Sequence, residues 1–118
     1  MGNKDFKGGQ VTLIILILLS EQDMYGYQIS HLMEERSEGM YFPPDGVLYP
    51  TLYKLAEKGY ISAEKREGDG NTRARIYYHL EQKGMEYLSW IREDFLRERE
   101  GVEKILQKSK GGRLYDGP

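Results

Sequence analysis

Tyr49, Thr51, Tyr53, Lys54 and Lys58 bring hydroxyls, aromatic rings and positive charge into one short stretch of the chain. Such groups donate hydrogen bonds, pair with anions and lie against flat rings. What positions them is a helix. Leu48, Leu52 and Leu55 recur at i, i+4 and i+7, an apolar face, which leaves the polar set on the other side. Asp45 is the expected N-cap, and Gly59 sits where a left-handed residue ends a helix. Pro50 falls about a turn inside, so one backbone bond is lost and an irregular first turn is expected. A short helix with an apolar back and a hydroxyl and cation front suits the DNA major groove. An ordinary amphipathic surface helix carries the same pattern, so this stretch alone does not decide.

The segment after this helix shifts the balance toward nucleic acid. Beyond residue 59 the period changes from helical to two, and Tyr60–Glu67 and Arg75–Leu80 read as strands rich in aromatic and β-branched residues. Between them Gly68 to Ala74 form a polar tip that ends in cations. Helix, turn, helix and then a hairpin with Arg73 and Arg75 at its tip is the order of a winged helix-turn-helix. The fold class expected is therefore mainly α with a small β-hairpin wing, followed by a long C-terminal dimerisation helix. The candidate groove-facing residues are Tyr49, Pro50, Thr51, Tyr53 and Lys54, with Lys54 better suited to phosphate than to a base. Asn71, Thr72, Arg73 and Arg75 would place the wing on the backbone or in a narrow minor groove, which attracts Arg.

Composition sets the bounds. A chain of 118 residues with a net charge of −2 and no cysteine fits one domain, excludes a disulfide scaffold and a thiolate metal site, and suits a cytoplasmic setting. The weak acidity is unevenly spread. Over 45–83 the cations Lys54, Lys58, Lys65, Arg66, Arg73, Arg75 and Lys83 slightly outnumber the acids, whereas over 1–44 only Lys4, Lys7 and Arg36 stand against twice as many acids. A DNA partner needs local positive charge, not a high overall pI. An enzyme is not expected, and no cofactor or metal is assigned. There is no Cys, only two His, no Gly-rich phosphate loop opening a helix, and no pair of acids set for acid–base work. His31 with Glu34 or Glu35 has metal-contact spacing but no third ligand nearby, which favours a solvated helix face.

The flanking elements complete the plan. Residues 1–9 read as a flexible arm, 10–83 as the DNA-binding domain, 84–108 as the dimerisation helix and 109–118 as a disordered tail. The run 10–20 is too short to span a membrane and apolar all round, a buried helix whose Leu13 and Ile17 are candidate dimer contacts. Asp23 is the expected cap of a second helix from Met24 to about Ser37. Gly26 in it suggests close packing against a neighbouring backbone, and Gln28, His31, Glu34 and Glu35 should face outward. Tyr25 and Tyr27 either hydrogen-bond phosphate or pack in the core, the latter reading preferred for Tyr27. Tyr41 and Phe42 read as a brief strand before Pro43 and Pro44. In the last helix, read from Glu81 to Lys108, Leu88, Phe95 and Val102 are spaced by sevens, with Ile91 and Ile105 between, a coiled-coil seam weakened by Glu98 and Gly101. Such a seam argues for a homodimer, and a two-fold dimer argues for an inverted-repeat site.

The stretch LIILILLSEQDMYGYQI, the block DGVLYPTLYKLAEKGYI and the wing GDGNTRARIYYHLEQKG, with the long helix after them, resemble the PadR family of bacterial transcription regulators. The resemblance runs from about Leu13 to Leu106, and the single terminal helix resembles the short subfamily. It implies a dimeric winged-helix repressor, acting on efflux or detoxification genes and released by an aromatic or drug-like ligand; control of its own gene is a further expectation for this chain. In that family an aromatic pair near the dimer axis can sandwich flat ligands, which makes Trp90 and Phe95 candidate ligand contacts; Trp90 would equally pack on the first helix or sit in the core. Two departures are visible. The family's Gly–Thr–Leu–Tyr–Pro is here Gly46–Val47–Leu48–Tyr49–Pro50, so a hydroxyl gives way to a methyl pair. A Thr cap at the head of the last helix is replaced by Glu81, whose carboxylate still complements the helix dipole. The rival reading is a winged helix that serves as a protein-interaction or ligand-binding module without specific DNA binding.

Overall fold

The computed structural model describes residues 9–70 and 72–109. Expectations for residues 1–8, for Asn71 and for 110–118 lie outside these. In chain order the elements are helix α1 (Gly9–Leu19), strand β1 (Met24–Tyr25), helix α2 (Gly26–Arg36), helix α3 (Asp45–Glu57), strands β2 (Ile61–Arg66) and β3 (Arg75–Leu80), and helix α4 (Gln82–Lys108). The architecture is mainly helical with a small antiparallel wing sheet, the fold class expected. None of the described helices is long and apolar enough to cross a membrane.

The core sits where α1 passes under α2, α3 and the sheet. Ile15, Leu16, Ile29, Leu48, Leu52, Leu55, Tyr60 and Ile61 are almost wholly covered. The three leucines of α3 lie side by side as their spacing requires. Helix α1 is buried over most of its surface, with Val11, Ile14 and Ile17 only partly covered. Helix α3 runs through Pro50 without a break. Its N-cap is Pro44, not Asp45, and the carbonyl of Pro44 accepts from the N–H groups of Val47 (2.9 Å) and Leu48 (3.0 Å). Gly59 ends the helix at φ +81°, the left-handed conformation its position required.

The sheet order is β1-β3-β2, all antiparallel, so the wing hairpin carries a third strand that sequence periodicity did not suggest. Met24 pairs with Tyr78 and Tyr25 with Tyr77, which means that the second helix starts at Gly26 and not at Met24. Asp23 caps nothing; its carboxylate is claimed from across the molecule by Arg66 and His79. In place of a side-chain cap, the Tyr25 N–H donates to Gln28 Oε1 at 3.1 Å, which pulls Gln28 back from the outward position expected of it. Tyr41 and Phe42 form no strand. The Ser37 Oγ accepts from the Tyr41 N–H at 2.9 Å, a local bond that holds the connector as a turn. Tyr27 is not core: it stands 68 % exposed, stacked on His31.

Helix α4 docks through its first half, as far as Phe95. Tyr87 lies parallel to Tyr60 with ring centroids 4.5 Å apart, and Gly84 is pressed against the Tyr60 carbonyl so closely that a Cβ there would collide with it. Lys83 reinforces the joint by donating to the Lys58 carbonyl at 2.7 Å, its ammonium 5.0 Å from the Tyr60 ring. Glu81 stands at the N-cap position without a side-chain cap bond. Tyr87 and Ile91 are buried and Leu88 and Phe95 half-buried, but from Leu96 onward the helix is exposed.

Candidate nucleic-acid interface

Helix α3 presents two flanks around its buried leucines. On one flank lie Val47, Thr51, Lys54 and Lys58, spaced four, three and four apart; on the other lie Tyr49 and Tyr53. Tyr53 and Lys54 are exposed and Pro50 stands outward between the flanks, as expected of groove-facing residues. Tyr49 is placed differently. Its ring leans back on the start of α2, where a Cβ on Gly26 would come within 2.5 Å of its Cε1 and Oη. The close approach read from Gly26 therefore exists, but against this ring and not against a backbone. Burial, with Asp45 and Tyr53 nearby, raises the Tyr49 hydroxyl above its ordinary pKa, so it stays protonated. The Tyr78 hydroxyl of β3 is likewise raised, by burial first and by Tyr53 and Tyr49 second.

Thr51 also differs from its expected use. Its hydroxyl donates to the Val47 carbonyl at 2.7 Å, a back-bond within the helix, so its proton is already committed. Val47, which sequence reasoning noted only as a departure, stands 43 % exposed in the first turn. Its position seven residues before Lys54 was the signal that placed it on the same flank.

The wing strands alternate only near their base; toward the tip Ala63, Lys65 and Ile76, in the inward register, are exposed as well. Tyr78 and Leu80 of β3 turn inward, while Arg75, Tyr77 and His79 share the outer face with Ser62, Glu64 and Arg66 of β2 and Tyr25 of β1. Arg75 does not simply project from the tip. Its guanidinium lies 4.5 Å from the centroid of Tyr25, which meets Tyr77 edge-on at 5.3 Å, and Arg66 covers Tyr77 at 4.4 Å. Two residues placed far apart in the chain, Tyr25 and Arg75, are thereby brought together beside the N-terminus of α2. Thr72 and Arg73 are exposed in the loop. Asn71, the remaining wing candidate, lies outside the described residues.

Asp23 anchors the base of this face. One oxygen accepts from Arg66 Nη2 at 2.7 Å and the other lies 2.8 Å from His79 Nδ1. The hydrogen bond to His79, then that to Arg66, lowers the Asp23 pKa, and the same carboxylate raises that of His79. No local signal announced this cluster, because its members are separated by 43 and 56 residues. Arg36 at the end of α2 gives Glu21, in the turn after α1, a two-pronged pair at 2.7 and 3.0 Å, and on α2 itself His31 lies 4.0 Å from Glu35 with both exposed.

The remaining candidates lie on the opposite side of the core. Leu13 is buried, Ile17 half-buried, and with Leu32, Met33 and Phe95 they line a hollow of about 290 Å³ between α1, α2 and α4. Trp90 is 47 % exposed, loosely stacked on Tyr87, and borders a smaller hollow of about 200 Å³ with Leu13, Phe95 and Glu98. The structure brings Trp90 and Phe95 to one rim. Val102 and Ile105, at 50 % and 71 % exposed, touch no part of this core.

Comparison with known proteins places this arrangement. The chain is similar to a transcriptional regulator, YqjI, of Escherichia coli, with 34 % identity over 96 % of this chain and 51 % of the relative. It thus spans about half the length of that curated relative. Among solved structures it resembles a transcriptional regulator from Clostridium thermocellum, at 29 % identity and a TM-score of 0.75 over 88 % of this chain and 97 % of that one. It shares the fold of Bacillus subtilis PadR, solved in complex with operator DNA, at 22 % identity and a TM-score of 0.62, covering 93 % of this chain and 51 % of that one. The model of the transcriptional regulator PadR-like family matches residues 15–90, from the middle of α1 through α2, α3 and the wing to the docked turns of α4, and the chain belongs to that family.

Proposed function

We propose that this protein is a homodimeric, cytoplasmic transcriptional regulator that binds double-stranded operator DNA and acts as a repressor. The observation that carries the reading is the composite surface of α3 and the wing. Tyr53 and Lys54 stand outward on a helix whose back is fully buried, and the sheet beside it sets Arg75 over Tyr25 at the start of α2. In a helix-turn-helix dock the second helix enters the major groove while the neighbouring elements hold the backbone. Here Tyr53 and Lys54 would take the groove wall, Arg75 and Tyr25 the phosphates beside α2, and Arg73 with Thr72 the backbone or the adjacent minor groove. The Bacillus subtilis neighbour, solved bound to operator DNA, supports the same role for this fold.

The dimer rests on a second observation, the exposed apolar residues Leu96, Val102, Ile105 and Leu106 along the outer half of α4. Paired with a copy, and with the half-buried Ile17 of α1 and Phe95 of α4, they would close a continuous interface; Leu13, already covered within the chain's own core, would not take part. A hydrophobic effector at Trp90 and Phe95 would act there, by favouring a dimer geometry that no longer fits two half-sites. The test is selection of sites from random duplex DNA. Enrichment of an inverted repeat with half-sites about one helical turn apart supports the reading. No enrichment from a correctly folded dimer would instead favour a protein-interaction or ligand-binding module.

A further inference from the structure

The first two turns of α3 have few hydrogens left to give to a base. Gly46 has no side chain and Pro50 no N–H. The Thr51 hydroxyl is donated to the Val47 carbonyl, and the Tyr49 ring is folded back on Gly26. What stands outward on the Lys54 flank is the isopropyl group of Val47, 43 % exposed, two turns before Lys54 itself. In the major groove each base pair shows donors and acceptors, and only thymine adds an apolar group, its C5-methyl. An isopropyl group set against the edge of a G·C pair would strip water from polar atoms and return no hydrogen bond, which is unfavourable. Set against a thymine methyl it covers apolar surface at no such cost.

We infer that Val47 reads a thymine in each half-site through its C5-methyl, and that this apolar contact sets the base preference at the head of α3. The inference rests on the DNA-binding reading above and deepens it. It assigns specificity to a residue outside the polar set, and it relieves Thr51 of a role as donor to a base. Lys54, farther along the same flank, then supplies attraction to phosphate without choosing a sequence.

The test uses the full-length protein and a site enriched from random duplex DNA, with each thymine of the half-site replaced in turn by uracil. That change removes one methyl group and leaves base pairing intact. The expected result is one position per half-site where uracil weakens binding about fourfold, the worth of one buried methyl-sized group. In Val47→Ala the penalty at that position should fall below about twofold, while the other positions respond as in the unaltered protein. Val47 is exposed, so this variant is expected to fold, and the uracil series on the unaltered protein needs no variant at all. An enriched site in which no thymine methyl matters would overturn the inference and leave the regulator reading standing. So would a uracil penalty that survives Val47→Ala unchanged. Failure to enrich any site overturns both.

Discussion

Leu48, Leu52 and Leu55 of α3 are fully covered, whereas Val102, Ile105 and Leu106 of α4 stand 50 %, 71 % and 67 % exposed. Both sets are aliphatic and both sit on regular helices, so residue type does not explain the contrast. Position does. The α3 leucines face α1 and the sheet, which close over them from both sides. Helix α4 is 27 residues long, about 40 Å at 1.5 Å per residue, and outruns the body that its first half grips. The head completes its own core; the outer half of α4 carries apolar side chains that no described part of the chain covers. One helix thus performs two jobs, anchoring through Gly84, Tyr87 and Ile91 and offering an apolar edge beyond Phe95.

Substitutions can break the contrast, beginning with the largest effect. Leu52→Ala should destabilise the head by about 2–5 kcal/mol, because a fully packed side chain is replaced by a cavity. Denaturant unfolding followed by circular dichroism would register it. Gly84→Ala should cost less. The new methyl collides with the Tyr60 carbonyl, a backbone atom that cannot swing aside, and overpacking of this kind costs about 1–3 kcal/mol, partly offset by about 1 kcal/mol of helix propensity. A fall in Tm, with loss of the near-ultraviolet signal of the stacked Tyr60 and Tyr87, would report it.

Smaller still is the tie between Asp23 and His79 at the base of the wing. Asp23 is held below its ordinary value, so its contribution exists above the unfolded carboxylate pKa of about 3.9 and is lost as pH falls through the lower folded value. His79 is raised, so its contribution is full below about 6.5 and is lost as pH rises through the higher folded value. Both act together between about pH 4 and 6.5. The side chains are 57 % and 29 % exposed for His79 and Asp23, so water screens the pair and at most about 1 kcal/mol is expected. His79→Ala should flatten the stability profile on the alkaline side of that window, read from unfolding midpoints across pH.

The smallest effect on stability should come from the other side of the comparison. Val102→Ser with Ile105→Ser touches nothing in the head, so unfolding of the dissociated chain should shift by less than about 0.5 kcal/mol. Sedimentation should nevertheless show the proposed dimer lost. If the pair of substitutions leaves association intact, the seam lies elsewhere.

Legibility in the sequence followed the range of the interactions. The spacing of Leu48, Leu52 and Leu55, the left-handed Gly59 and the alternation of Arg75 to Leu80 are local, and they predicted α3, its end and the wing. Strand β1 is only Met24 and Tyr25, too short to show a period, and exists because β3 offers an edge to pair with. That pairing displaced the start of α2 and freed Asp23 for Arg66 and His79. The same limit governs the site. Tyr53, Lys54 and Arg73 stand outward where a helical or hairpin pattern puts them. The folding of Tyr49 onto Gly26 and the laying of Arg75 over Tyr25 depend on contacts between distant segments that no window along the chain contains.

Fluorescence anisotropy on an enriched inverted-repeat site, with scrambled DNA and Arg73→Ala as comparisons and over a range of salt, addresses the DNA-binding assignment head-on. Strong preference over scrambled DNA and a steep fall of affinity with salt are expected. Arg73→Ala should flatten the log–log slope by about 1 for each phosphate no longer neutralised, hence about 2 for a dimer. No preference over scrambled DNA, or a slope indifferent to Arg73→Ala, would contradict the assignment of α3 and the wing as the DNA-binding surface.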